Sequence, residues 1–183
     1  MRRGSLDVSK SWHVLFVLGT FEEKIMNQVN ALSDKFPVMA FVPRVERSFK
    51  KQKKITYDYE IVFKNYVFVE TDLRFDEFSI FINDHIRLVE GFIKLLKHDS
   101  EGTESLYPQE KQMIQRFVDP DFVVRESLGL IEGDRVIVLS GPLKNHESLI
   151  RKINRHKRKA WLEMSMFGQS QLVEVGLEII KKS

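Results

Sequence analysis

From Gly129 onward the apolar residues stop recurring at helical spacing and fall into short alternating runs. That change of period constrains the fold more than any other feature of the chain. Residues 135–139, 148–153, 160–164 and 172–175 read as half-buried strands, with 177–180 as a further one, and Gly133-Asp134, Gly141-Pro142 and Gly168 punctuate them. Fifty-five residues of short strands predict a small β-barrel, because closing the sheet removes its exposed edges. Such a barrel leaves little room for an enzyme cleft.

The preceding part of the chain mixes two periods. Trp12, Val14, Phe16 and Leu18 share one face of a buried strand over 12–18 that Gly19 ends. Thr20 and Glu23 then form a capping-box pattern ahead of Phe21, Ile25, Val29, Leu32 and Phe36, which predicts a helix through residue 36. Pro37 breaks it. Residues 38–45 read as a second strand that runs into a polar stretch, 46–54, with Arg47, Lys50, Lys51, Lys53 and Lys54 at an exposed hairpin tip. Strands follow over 55–62 and 66–69. A helix over 74–83 gathers Phe75, Phe78, Phe81 and Ile82 on one face, residues 86–96 read as strand, and Pro108 opens a helix with Met113, Ile114 and Phe117. This order lacks regular strand-helix-strand repetition and predicts an α+β domain with an antiparallel sheet. The organisation expected is a domain over 12–117, a linker over 118–128 without clear period, and an all-β domain over 129–183.

Composition excludes several classes. The chain has 183 residues, 43% apolar and 11% aromatic, so it can build real cores. It has no cysteine, which removes disulfides, zinc ribbons and thiol nucleophiles and fits a reducing cytoplasm. No apolar run approaches the roughly 18 residues of a membrane span, so no membrane contact is expected. There is no GxSxG elbow, Walker loop, HExxH helix or Rossmann glycine pattern, and the five histidines lack ligand spacing. Asp72, Asp76 and Glu77 are the only carboxylates that a metal-dependent nuclease could use, and Asp76 and Glu77 suit the solvated face of the 74–83 helix better. No enzyme, metal or cofactor is expected.

The net charge is only +3, from 29 basic and 26 acidic residues, so any basic surface must be local. Arg151 to Lys159, RKINRHKRK, carries six basic side chains, His156 and no acid. A hairpin turn near 154–157 would bunch Arg155, His156, Lys157 and Arg158 at one end of the barrel. Arg151, Lys152 and Asn154 lead into that turn, and Lys144, Asn145 and His146 from the neighbouring loop would complete a positive rim. Such a rim neutralises phosphates, and Arg and Asn can also bond base edges. RNA would use it best where a loop or bulge opens a hairpin, because the major groove of A-form RNA is too narrow for side chains. A solubilising charged turn is the competing reading.

Three stretches in order and spacing resemble the NusG family of transcription elongation factors: WHVLFVLGTFEEKI, FKNYVFVE, and GLIEGDRVIVLSGPLKNHESLIRKIN with SMFGQSQLVEV. The resemblance implies an NGN-like domain followed by an SH3-like KOW barrel. Within the family the stretch GPLKNHESLIRKINRHKRKA is most similar to LoaP-type specialised antiterminators. The family's Pro-Gly before the second aromatic reads Lys64-Asn65 here, and Asn can adopt the left-handed backbone that Gly supplies. By resemblance, Phe63 and Tyr66 lie in an apolar depression that receives the clamp helices of RNA polymerase, and the KOW domain would hold a hairpin of the nascent transcript. A monomer is implied, with contact between the tip at 47–54 and upstream DNA left open. The alternative is a general elongation factor whose KOW domain binds Rho or a ribosomal protein near the Leu143 and Phe167 loops. Some family members mask the polymerase site with a helical form of the second domain; the alternation over 135–175 predicts strands instead.

Overall fold

The computed structural model describes residues 10–51, 54–97 and 106–182. They form two compact units, one built from residues 10–42 with 63–111, the other from 43–62 with 112–182.

The first unit is α+β. Strands β1 (Ser11–Val17), β2 (Val38–Phe41), β5 (Tyr66–Thr71) and β6 (Phe92–Leu95) form an antiparallel sheet in the order β2-β5-β1-β6. Helices α1 (Glu22–Asn30) and α2 (Phe75–His85) belong to the same unit. The near-continuous apolar run of β1 buries both of its faces, as expected of a central strand. On one face Trp12 meets Phe41 and Phe68 edge-on, and its indole N–H donates to Glu70 Oε2 at 3.0 Å. On the other, His13 stacks on Phe78 of α2 at 4.4 Å.

Helix α1 is shorter than its periodicity predicts, and the Thr20–Glu23 capping box is not the cap. Thr20 sits at φ 76°, and Phe21 occupies the cap position without a side-chain bond. The helix ends at Asn30, whose amide bonds the backbone of Ala40 in both directions, at 2.7 and 2.8 Å, satisfying the outer edge of β2. Residues 86–91, read as strand, form a turn instead. Gly91 lies at φ 94°, and a Cβ there would meet the Phe21 ring at 2.3 Å, so strand begins only at Phe92.

The second unit holds the hairpin of β3 (Arg44–Lys51) and β4 (Lys54–Ile61), the short β7 (Val123–Val124) parallel to β3, and a five-stranded sheet. That sheet comprises β8 (Ser127–Glu132), β9 (Arg135–Ser140), β10 (Ile150–Asn154), β11 (Lys159–Met166) and β12 (Gln169–Lys182), ordered β10-β11-β12-β8-β9. The all-β region is thus as predicted, with strands over 135–175 interrupted by one turn of 3-10 helix at Glu147–Leu149. Its core is Leu143, Leu162, Met164, Met166, Val173, Val175 and Leu177. The two strands expected at 172–175 and 177–180 are one: β12 pairs with β11 through Gly176 and with β8 from Leu177 on.

The stretch expected as an exposed tip, 46–54, is mostly paired strand; residues 52 and 53, Lys53 included, lie outside the described residues. The stretch expected as a linker, 118–128, holds β7 and the start of β8. Its turn is fixed by Asp119 Oδ1, which accepts from the Asp121 and Val123 N–H groups at 2.9 Å. Helix α3 (Pro108–Phe117) begins at the predicted proline, and the boundary between the units passes through it. Among the described residues no helix is long and apolar enough to cross a membrane.

Candidate nucleic-acid interface

The β10–β11 connection is a tight turn, as the Asn154 to Lys157 spacing predicts. Asn154 Oδ1 accepts the Lys157 N–H at 3.0 Å, the Arg158 N–H donates to the Arg155 carbonyl at 3.2 Å, and Arg158 itself takes φ 52°. The Gly141–His146 loop lies at the same end of the sheet. The Leu143 N–H donates to Ser127 Oγ at 3.1 Å, Ser127 pairs with Leu177, and the Leu177 N–H donates to the Arg158 carbonyl at 3.0 Å. The β10–β11 turn and the 141–146 loop are therefore linked through Ser127 and Leu177 at one end of this unit, while Arg151 and Lys152 lie on β10 leading into the turn.

Its members are not equivalent. Arg158 is turned inward: its guanidinium meets Glu178 at 2.7 Å and Ser48 Oγ of the hairpin at 2.9 Å. Arg151 is held by Glu163 at 2.6 Å and the Ser148 carbonyl at 2.8 Å. The Ser170 hydroxyl and Arg151 in turn hold the Glu163 carboxyl below its ordinary range. His146 packs edge-on against Phe117 at 5.2 Å. Lys152 lies over the Trp161 ring at 5.0 Å. Lys144, Asn145, Arg155, His156 and Lys157 are exposed. Among the described residues Lys144, Lys152, Arg155 and Lys157 have no carboxylate partner, and these four are the cations open to a phosphate.

Sequence reasoning missed what separates the two groups. Arg47, expected at the exposed tip, is only 13% exposed, ion-paired to Glu174 and 2.8 Å from Glu60. Glu174 also meets Lys159 at 2.5 Å; burial pushes its carboxyl up, but Lys159 and Arg47 more than offset this and leave it below its ordinary range. Arg125 joins Glu46 at 2.8 Å and Asp119 at 2.6 Å, the Glu46 bond raising its already high pKa. Ser48 donates to Glu126 at 2.6 Å, yet burial keeps the Glu126 carboxyl above its ordinary value. These acids, on β3, β4, β11 and β12, in the turn before β7 and in the link before β8, consume part of the positive charge that the sequence displays.

In the first unit, Phe63 is 5% exposed and packs on Phe68 at 5.6 Å, while Tyr66 is half-buried against Phe16 at 5.7 Å. Asn65 between them adopts φ 71°, the left-handed conformation expected, with its N–H on Glu22 Oε1 at 2.8 Å and its amide on the Val17 carbonyl at 3.0 Å. The described residues contain no cluster of His, Asp or Glu able to hold a metal.

Residues 10–118 match the family described as "Transcription termination factor nusG". The chain belongs to the NusG family. Its similarity to NusG proteins extends past that stretch. It is 29% identical over 190 residues to "Transcription termination/antitermination protein NusG" of Halalkalibacterium halodurans, spanning 96% of this chain and 99% of the relative. The Bacillus subtilis protein of the same name is 27% identical, with 96% and 99% covered, and that of Borreliella burgdorferi 24%, with 96% and 100%. A solved structure titled "Domain interaction in Thermotoga maritima NusG" is similar at TM-score 0.47 and 18% identity, over 93% of this chain and 94% of that one. The family match stops before the basic turn, so the four open cations lie in the part where the NusG resemblance rests on the full-length relatives.

Proposed function

We propose that this NusG-family chain is a transcription antitermination and elongation factor of the LoaP-type specialised kind. Its 12–117 region would hold the clamp helices of RNA polymerase through the surface around Tyr66 and Phe63, and its 129–183 region a structured hairpin in the nascent RNA. The observation that carries the RNA half is the sorting of cations at one end of the five-stranded sheet. Arg151 and Arg158 are internally neutralised, whereas Lys144, Lys152, Arg155 and Lys157 are not. A solubilising turn does not require its cations to be drawn from two separate loops pinned together through Ser127 and Leu177.

The mechanism is binding without chemistry. Two weak contacts on one chain raise the effective concentration of each. A factor of this kind favours the elongating state only by binding it better than the paused one. Phe63 is buried beneath the polymerase-facing surface, so it shapes that surface while the half-buried Tyr66 makes the contact.

The test is binding of the full chain to a pool of loop-randomised RNA hairpins and to duplex DNA across a salt series. Four phosphates neutralised give a log-log slope of roughly −3 to −4 for RNA. Enrichment of one hairpin class, lost on changing Lys144, Arg155 and Lys157 to Ala, supports the reading. Absent or uniform binding moves the weight to a general elongation factor whose second domain meets Rho or a ribosomal protein, for which exposed Leu139 and Leu172 offer apolar surface.

A further inference from the structure

We infer that Trp161 is a stacking platform for an unpaired nucleobase, with Lys152 occupying the ring face until RNA arrives. The inference rests on the RNA reading above and adds a residue that reading does not contain. Trp161 points outward from β11: its neighbours Ala160 and Leu162 are buried, whereas Lys159, Trp161 and Glu163 form the outer row. In register beside it stand Lys152 of β10 and Glu174 of β12. A large indole half-exposed on a sheet face needs an explanation that core packing does not give.

The charges around it supply one. Glu174 is neutralised by Arg47 and Lys159, and Glu163 by Arg151 while it accepts from the Ser170 hydroxyl, so neither acid is left to repel a phosphate. Of the cations named around the ring, Lys152 on β10 has no carboxylate partner among the described residues, and its ammonium rests over the ring at 5.0 Å. Trp161 is two residues from Lys159, where the turn begins, a separation of about 7 Å along the strand. A chain whose phosphates meet Arg155 and Lys157 therefore brings a neighbouring base to the indole. An exposed cation–π contact is weaker than a base–aromatic stack, so a base displaces Lys152 from the ring, and the freed ammonium gains a phosphate. Stacking tolerates any base and needs one that is splayed out, so it selects loops over closed stems.

The experiment uses the intact protein. The other tryptophan, Trp12, is 1% exposed with its N–H on Glu70, so quenching by acrylamide reports Trp161. The probes are loop-randomised RNA hairpins and a blunt RNA duplex of the same stem. Hairpins are expected to quench Trp161 emission and shield it from acrylamide, and the duplex to do neither. Trp161→Leu, which keeps apolar bulk without a π face, should weaken hairpin binding about tenfold and leave duplex binding unchanged, with Trp161→Phe in between. Hairpin binding that falls on changing Lys144, Arg155 and Lys157 to Ala but is untouched by Trp161→Leu overturns the platform and leaves the RNA reading standing. A wild-type chain that binds no hairpin overturns both.

Discussion

Arg47 on β3 and Glu174 on β12 are ion-paired although 127 residues separate them. The contact draws the β3–β4 hairpin onto the five-stranded sheet, with the Arg47 guanidinium largely withdrawn from water. Removing one partner leaves the other charge poorly solvated, which costs more than an exposed pair would. Glu174→Gln is therefore expected to lower stability by about 2 kcal/mol, read as a shifted denaturation midpoint with unchanged slope.

Acid should loosen this unit in a definite window. The folded-state pKa values of Glu163 and Glu174 lie below the ordinary 4.5. Their stabilising contribution is thus complete above that value and is lost as pH falls through the lower, folded values. Melting temperature should fall below pH 4.5, and Glu174→Gln should flatten that fall.

Glu126 works in the opposite sense. Burial raises its carboxyl above 4.5, and its Oε1 has no hydrogen-bond partner among the described residues. A raised acid pKa means that the folded state binds the proton more tightly, so the penalty is full at neutral pH, shrinks as pH falls through the folded value and vanishes below 4.5. Glu126→Gln keeps an acceptor for Ser48 and should raise the melting temperature at pH 7, with the gain gone below pH 4.5.

Neighbouring cations in the turn should separate by role. Arg158→Ala breaks contacts to Glu178 and Ser48 and should cost about 1 kcal/mol. Lys157→Ala should stay within about 0.5 kcal/mol. Equal losses in chemical denaturation would remove the distinction between structural and open cations.

Gly176 tests the seat of the hairpin. A Cβ there would lie 3.0 Å from the Glu46 carbonyl and 3.2 Å from Glu126 Cγ. Gly176→Ala should destabilise by about 1 to 3 kcal/mol through overpacking, and hydrogen exchange should speed up in β3 before it does in β11.

What could be read from sequence follows the range of the interaction that decides it. The outward and inward alternation of β11 and the apolar face of α2 are local and were legible. The left-handed Asn65 was too, because side-chain chemistry at one position selects it. Thr20 shows the limit: its capping pattern with Glu23 is overruled by a backbone at φ 76°. Residues 118–128 showed no period because a two-residue strand and a turn held by Asp119 have none to show. The fate of Arg47, Arg151 and Arg158 was hidden for a different reason. A positive charge looks the same in sequence whether its carboxylate stands 12 residues away, as Glu163 does from Arg151, or 127, as Glu174 does from Arg47.

That last separation is also a delay. At roughly 5–20 residues per second of synthesis, Arg47 leaves the ribosome about 6–25 s before Glu174 does. During that interval the hairpin is complete in sequence but lacks the acids on β12 that hold it. The unit carrying the basic turn can therefore close only after β12 has emerged.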